Sequence, residues 1–210
     1  MMEIKIQLNN FSCDEAIYPH LAQVFSGEYE IPFQMWGAKI LDIGANHGAF
    51  SIWAAHRFPF SMIYAYEPHP TTYKSLLKNV ESFKNIFPKN VGVGVAGLRP
   101  LYNGRNNSGE ATLFQSCGGA GLTGQHVEVI DPKLLPPADI LKMDTEGAEI
   151  EILEPLLQDS REFKAILFEY HEISHRRILD ALLRDYVLVG ANVYSPGRGT
   201  CKYLHRSLVQ

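Results

Sequence analysis

In the stretch LDIGANHGAF (residues 41–50), Asp42 lies in an apolar run, and Gly44 and Gly48 bracket Ala45, Asn46 and His47. A second apolar run, MIYAYE (62–67), ends on Glu67, 25 residues after Asp42 and just before Pro68. Gly44 permits a backbone conformation closed to residues with a Cβ, and Gly48 allows close approach at a helix start. A carboxylate at Asp42 can attract an ammonium, directly or through water. Amides of the turn can receive a carboxylate, as at other anion sites where helices begin. Glu67 can accept hydrogen bonds from both hydroxyls of a ribose and would repel a 2′-phosphate. Together these residues suit a nucleoside carrying a zwitterionic tail.

A dinucleotide loop would read GxGxxG, its second glycine clearing space for a pyrophosphate. Position 46 is Asn and position 49 is Ala, which counts against an NAD-dependent oxidoreductase of the same fold class. S-adenosylmethionine has no pyrophosphate. It joins an adenosine to a methionine tail through a sulfonium, and it fits Asp42, Gly44, Gly48 and Glu67 as a set. The plainer alternatives are a structural glycine turn and an exposed strand terminus at Glu67; the pairing at this spacing favours the ligand.

A second set of ionisable residues recurs near strand ends: Lys142, Asp144 and Glu146 in LKMDTEGAE, then Glu169 and His171 in LFEYH. Strand alternation puts Lys142 and Asp144 on one side, and likewise Glu169 and His171. Grouped carboxylates and an imidazole suit removal of a proton from a hydroxyl. The plainer role is an ion pair between Lys142 and Glu146, with EGAE placing acids on the positive end of a helix. Both roles can coexist. HEISH (171–175) matches the HExxH pattern of zinc hydrolases, which needs its two histidines one turn apart on a single helix with Glu172 as base. The strand-like AILFEY runs straight into His171, so the histidines are expected to straddle a strand–helix junction. No third ligand follows at that spacing, and no metal is expected.

The frame that would hold these groups is legible in the same way. From about Lys39, short apolar runs alternate with helix-period segments, which predicts an α/β fold with a parallel sheet flanked by helices. The predicted strands are KILDIG, MIYAYE, VGVGVA (91–96), DILKMD (139–144) and AILFEYH (165–171). A terminal hairpin, YVLVGANVY and TCKYLHRSL, turns at SPGRG. Predicted helices are AFSIWAAHRF, a segment opened by Pro70, AEIEIL ended by Pro155, and ISHRRILDALLRD. Residues 11–36 are read as a helix and an approach loop. Residues 97–126, with NGRNNSGE and CGGAGLTG, are too polar and glycine-rich for core and are read as a small hairpin and a mobile loop over the sheet's carboxyl edge. Ligands of such sheets bind outside the carboxyl ends of the strands, where strand order reverses. The glycine turn belongs there.

At 210 residues the chain suits one domain that buries roughly 70% of its unfolded surface. Net charge is −4, with no run of like charges, so a nucleic-acid partner is not expected. RNA remains the alternative acceptor, through Arg99, Arg105, Arg176, Arg177 and Arg198, whose plainer role is solvated surface. Cys13, Cys117 and Cys201 form no CxxC pair, which argues against a disulfide framework and fits a reducing cytoplasm. MMEIKIQLNNF lacks the features of a signal peptide, and no apolar run approaches the roughly 18 residues of a membrane helix. A cytoplasmic protein without a membrane partner is expected; oligomeric state is not legible.

GEYE (27–30), ILDIGANHGAFS (40–51), YAYEPHP (64–70), LKMDTEGAEIEIL (141–153) and LFEYH (167–171) closely resemble, in order and spacing, the FkbM-type family of S-adenosylmethionine-dependent methyltransferases. The resemblance spans about residues 20–190. It departs at His47, where the family's usual residue is apolar, and at residues 117–124, which do not align. It implies a Rossmann-like class I methyltransferase fold: a seven-stranded, mostly parallel sheet whose last strand is antiparallel, with helices on both faces. Residues 37–210 would form the cofactor domain, and 1–36 its N-terminal helix and approach loop. It also implies methyl transfer to a hydroxyl oxygen of a small molecule or sugar. By matching position, Asp42, Gly44, Ala45, Asn46, Gly48 and Ser51 hold the methionine end, Glu67 and Pro68 the ribose, and Val95 and Ala96 flank the adenine. Asp144 faces the methyl group. Asp144 or His171 is the general base, Glu146 and Glu169 position the acceptor, and Lys142 orients a carboxylate or lowers the acceptor hydroxyl's pKa. Tyr29 would close over the cofactor and Glu28 hydrogen-bond it, a plain surface turn being the alternative. A module that binds the cofactor without catalysis is the reading from another class.

Overall fold

The computed structural model describes Phe11, residues 18–102, Leu113 and residues 122–209. The first half of the chain forms α1 (Tyr18–Phe25), β1 (Lys39–Ile43), α2 (Ala49–Arg57), β2 (Met62–Tyr66), α3 (Pro70–Val80) and β3 (Ile86–Lys89). Three more strands follow: β4 (Gly92–Val93), β5 (Gly97–Tyr102) and β6 (Leu122–Ile130). Then come β7 (Ile140–Met143), α4 (Glu149–Gln158), β8 (Ala165–Tyr170), α5 (Ile173–Leu182), β9 (Tyr186–Ser195) and β10 (Arg198–His205).

Strand β1 is buried from Ile40 onward, and β7 and β8 are buried throughout, as strands covered on both faces must be. They sit in the middle of a seven-stranded sheet of order β3-β2-β1-β7-β8-β10-β9. All its pairings are parallel except those of β10. Side chains alternate between two apolar clusters. Ile40, Ile63 and Ile140 join Phe50, Trp53 and Leu76 from α2 and α3, whereas Leu41, Tyr66 and Leu141 join Ile152, Leu156 and Leu179 from α4 and α5. Successive strand residues face opposite ways, so each helix pair covers one face of the sheet. From β1 the chain steps outward to β2 and β3, then returns to pair β7 against the other side of β1. The order reverses between β1 and β7, and the carboxyl ends of those strands open onto the expected crevice.

Two elements differ from the sequence reading. The third strand of the sheet is Ile86–Lys89, not VGVGVA. Pro88 weakens the strand signal of that stretch, yet it is tolerated because β3 is an edge strand and needs hydrogen bonds on one side only. From VGVGVA, Gly92 and Val93 pair instead with β6, in a separate three-stranded sheet of order β4-β6-β5. Pro155 does not end its helix either. It lies inside α4, which runs on to Gln158 and buries Leu156 completely; this apolar contact offsets the backbone hydrogen bond a proline cannot donate. In the 97–126 region, β5 and β6 form the expected antiparallel pair. The loop expected between them, with NGRNNSGE, Arg105 and Cys117, lies outside the described residues, as does Cys13. Cys201 is free and buried. Among the described residues no helix is long and apolar enough to cross a membrane.

Candidate active site

Beyond Ile43 the chain turns through Gly44, whose φ is +73°. A Cβ there would lie 1.8 Å from the carbonyl oxygen of Asp144, so the close approach of the β1 and β7 ends requires glycine as much as the dihedral does. Asn46 also has positive φ, 51°, a region that asparagine tolerates better than most residues. That conformation aims its N–H at Glu67 Oε2, 2.9 Å away, while the N–H of His69 donates to Glu67 Oε1 at 2.8 Å. A single carboxylate thereby ties the glycine turn to the start of α3. Burial pushes its pKa up to about 7, against the pull of those two N–H groups and of Lys142.

Three hollows meet at Asp144, beside this turn. The first has about 590 Å³ of space and is walled by Gly44, Asn46, Glu67, Pro68, Gly92 and Val93. The second, about 410 Å³, lies between the turn and α1 and is lined by Ala45, His47, Phe50, Lys142 and Tyr29. The third, about 680 Å³, is lined by Glu28, Tyr29, Glu169, Tyr194 and Arg198. Asp144 borders all three.

Several expected cofactor residues stand elsewhere. Asp42 has no exposed surface; Ser51 Oγ donates to its Oδ2 at 2.6 Å, and Lys142 Nζ lies 3.1 Å from its Oδ1. Asp42 and Ser51 therefore brace the turn from behind, and neither reaches a ligand's ammonium. Lys142 Nζ also donates to the Gly44 carbonyl at 2.7 Å and lies 4.0 Å from Asp144 Oδ2. Burial disfavours the ammonium, but the charges of Asp42 and Asp144 outweigh it and hold its pKa above the usual value. Lys142 is thus a positioning group for the turn and not a partner of the acceptor. The N–H groups of Gly44, Ala45, Asn46 and Gly48 are spent on Tyr66, Glu67 and Ala45, so a ligand carboxylate at this end is left to the first turn of α2. Gly48 lines none of the three hollows; a Cβ on it would meet Leu76 Cδ1 at 2.7 Å. Val95 and Ala96 are exposed and also lie outside the walls. The strand that precedes them ends earlier than the sequence suggested, which puts Gly92 and Val93 in their place. Tyr29 is buried, edge-on to Phe50 at 5.2 Å, a fixed wall and not a lid.

The acid–base group gathers at the ends of β7 and β8. Glu146 Oε2 is 3.0 Å from His171 Nε2, which is 3.6 Å from Glu169 Oε1. Arg198 Nε donates to Glu169 Oε1 at 2.6 Å, and its Nη2 lies 3.4 Å from Glu146 Oε1. Burial lowers the affinity of His171 for a proton, but contact with Glu146 and the charges of Glu146 and Glu169 reverse this and carry its pKa to about 9. Burial raises the Glu28 pKa to about 7, with help from Asp144. Asp144 is the partly exposed member, its side chain 29% accessible. The sequence reading missed Arg198, which it took for solvated surface; nothing local marks it, and only the antiparallel register that sets Gly199 against Tyr170 brings it here. Arg99 pairs with Glu151 on α4, and Arg176 with Asp180 on its own helix, α5. In HEISH, His171 follows β8 whereas His175 lies within α5, the expected split.

Residues 42–188 match the model of the methyltransferase FkbM domain. Methyltransferase sdnD of Sordaria araneosa is 27% identical over 185 residues, covering 70% of this chain and 71% of that protein. Among solved structures, methyltransferase FkbM from Methylobacillus flagellatus KT superposes with a TM-score of 0.58 at 14% identity, over 96% of this chain and 58% of that one. Precorrin-6y C5,15-methyltransferase from Geobacter metallireducens GS-15 does so with a TM-score of 0.54 at 15% identity, over 93% and 94%. At these identities the structural likeness is one of fold.

Proposed function

Because this chain belongs to the methyltransferase FkbM domain family, we propose that it methylates a hydroxyl oxygen of a small molecule or sugar, with S-adenosylmethionine as donor. The observation that carries this reading is the place of Asp144, on the border of all three hollows. The first two suit the donor. Glu67 would accept the ribose hydroxyls, Gly92 and Val93 would wall the adenine, and the start of α2 would take the tail's carboxylate. When bound, S-adenosylmethionine supplies an electrophilic methyl carbon on a good leaving group.

The third hollow is then the acceptor side. A hydroxyl placed there loses its proton to Asp144. His171, with a pKa of about 9, carries a proton at neutral pH, which favours Asp144 as the base. With Arg198, His171 holds Glu169 on the wall of the third hollow and Glu146 on the wall of the first. A screen of hydroxylated metabolites with methyl-labelled donor tests the reaction: label should appear on an oxygen of at least one acceptor. Tight donor binding without transfer to any hydroxyl would make the protein a binding module instead.

The state of Glu67 gives a further expectation. Ribose hydroxyls donate to the ionised carboxylate, so below a pKa of about 7 a proton must leave as the donor binds. Affinity should therefore rise about tenfold per pH unit up to about pH 7 and level off above it. Titration of S-adenosylmethionine between about pH 5.5 and 8.5 checks this, and Glu67→Gln should flatten the profile. A flat wild-type profile would place the ribose away from Glu67.

A further inference from the structure

We propose that Asp144, Glu169 and His171 form a divalent-cation site on the acceptor side, through which the protein takes acceptors that chelate with two adjacent oxygens. The cation site stands on geometry; the acceptor class rests on the methyltransferase reading above. One ligand atom from each of the three residues lies within 4.8 Å of the other two. Ligand atoms about 2.1 Å from an ion stand about 3 Å apart when adjacent, so the set closes by about 1–2 Å, within the reach of side-chain rotation.

A second observation concerns His171. Its side chain is only 6% exposed; Nε2 lies 3.0 Å from a Glu146 oxygen, but Nδ1 has no hydrogen-bond partner. A buried ring nitrogen without a hydrogen bond is costly, and a metal bond would satisfy it. Charge agrees. Asp42, Asp144, Glu146 and Glu169 face two permanent cations, Lys142 and Arg198. Glu169 must turn from Arg198, which keeps Glu146 as a partner.

Two carboxylates and one imidazole suit a first-row ion such as manganese(II) or iron(II). Three protein ligands leave positions open toward the hollow that Asp144 and Glu169 line. A vicinal diol or an α-hydroxy carboxylate fills two of them, and the ion eases loss of the hydroxyl proton to the oxygen of Asp144 that does not bind it. The HEISH pairing differs from this site in its second histidine, because His175 is not part of the set.

The test is titration of the chelator-treated full chain with Mn²⁺ alone, read by the loss of the free-ion electron paramagnetic resonance signal, with S-adenosylmethionine titrated in parallel by calorimetry. One ion should bind per chain, Glu169→Gln and His171→Ala should each weaken uptake at least about tenfold, and His175→Ala should leave it unchanged. Failure of the wild-type protein to take up Mn²⁺ at millimolar concentration would overturn the site whether or not the variants fold, as would equal uptake by a folded His171→Ala. Donor binding without ion uptake sinks the cation site alone; ion uptake without donor binding sinks the methyl-donor reading and leaves the site standing.

Discussion

Replacing Asp144 by Asn is expected to lower turnover by about 10²–10⁴-fold, the usual contribution of a general base, while the donor's dissociation constant stays within about threefold of its original value. The substitution keeps the shape of a group bordering all three hollows and removes its ability to take a proton. Lys142 would lose a carboxylate at 4.0 Å but keep Asp42 at 3.1 Å and the Gly44 carbonyl at 2.7 Å, so the turn should hold. The fall should therefore appear in kcat. Donor affinity from calorimetry and single-turnover rates of methyl transfer separate the two quantities. Undiminished turnover in Asp144→Asn would remove this residue from the chemistry.

The second large effect is structural. In Gly44→Ala the new methyl group would stand 1.8 Å from the Asp144 carbonyl oxygen and 2.7 Å from its carbon, where only movement of backbone can relieve the overlap. Left-handed backbone costs an alanine about 1–2 kcal/mol, and overpacking adds about 1–3 kcal/mol. A loss of about 2–5 kcal/mol follows, or a fall in Tm of about 4–20 °C at this chain length. Because the displaced atoms belong to the donor's turn and to the base, donor binding should disappear even in molecules that remain folded. Gly37→Ala is the matched control. Gly37 also has positive φ, +66°, but nothing lies within 4 Å of its added Cβ, so only the dihedral cost should appear. Thermal melts of the two variants side by side check the difference. Equal losses would mean that the approach of β1 to β7 is not what the glycine serves.

Much of this was legible because the signals are local. Apolar runs ending in glycine or acid mark β1, β2, β7 and β8, and the switch between β1 and β7 follows from their alternation with helices. Asp42, Glu67 and Asp144 could be placed at strand ends without coordinates. What each side chain does there was less legible. Asp42 reads as a ligand group from spacing alone, yet Lys142 from a neighbouring strand and Ser51 from α2 consume it, and strand pairing decides that. Val95 and Ala96 were displaced by an edge strand whose proline hides its character, since a pattern cannot tell which strand will lie at an edge. Arg198 reaches the site only through a hairpin that packs antiparallel against β8. His171 carries its motif in plain view, but its partners are Glu146 and Glu169, not the histidine four residues on.

The central claim is that the crevice beside the turn after β1 binds S-adenosylmethionine, with Glu67 on its ribose and the start of α2 on its amino-acid tail. Calorimetric titration of the full chain with S-adenosylmethionine and with NAD, in parallel and under one buffer, tests it most directly. The structure predicts micromolar binding of S-adenosylmethionine, weakened by Glu67→Ala, and no measurable heat from NAD. Micromolar binding of NAD with none of S-adenosylmethionine would contradict it.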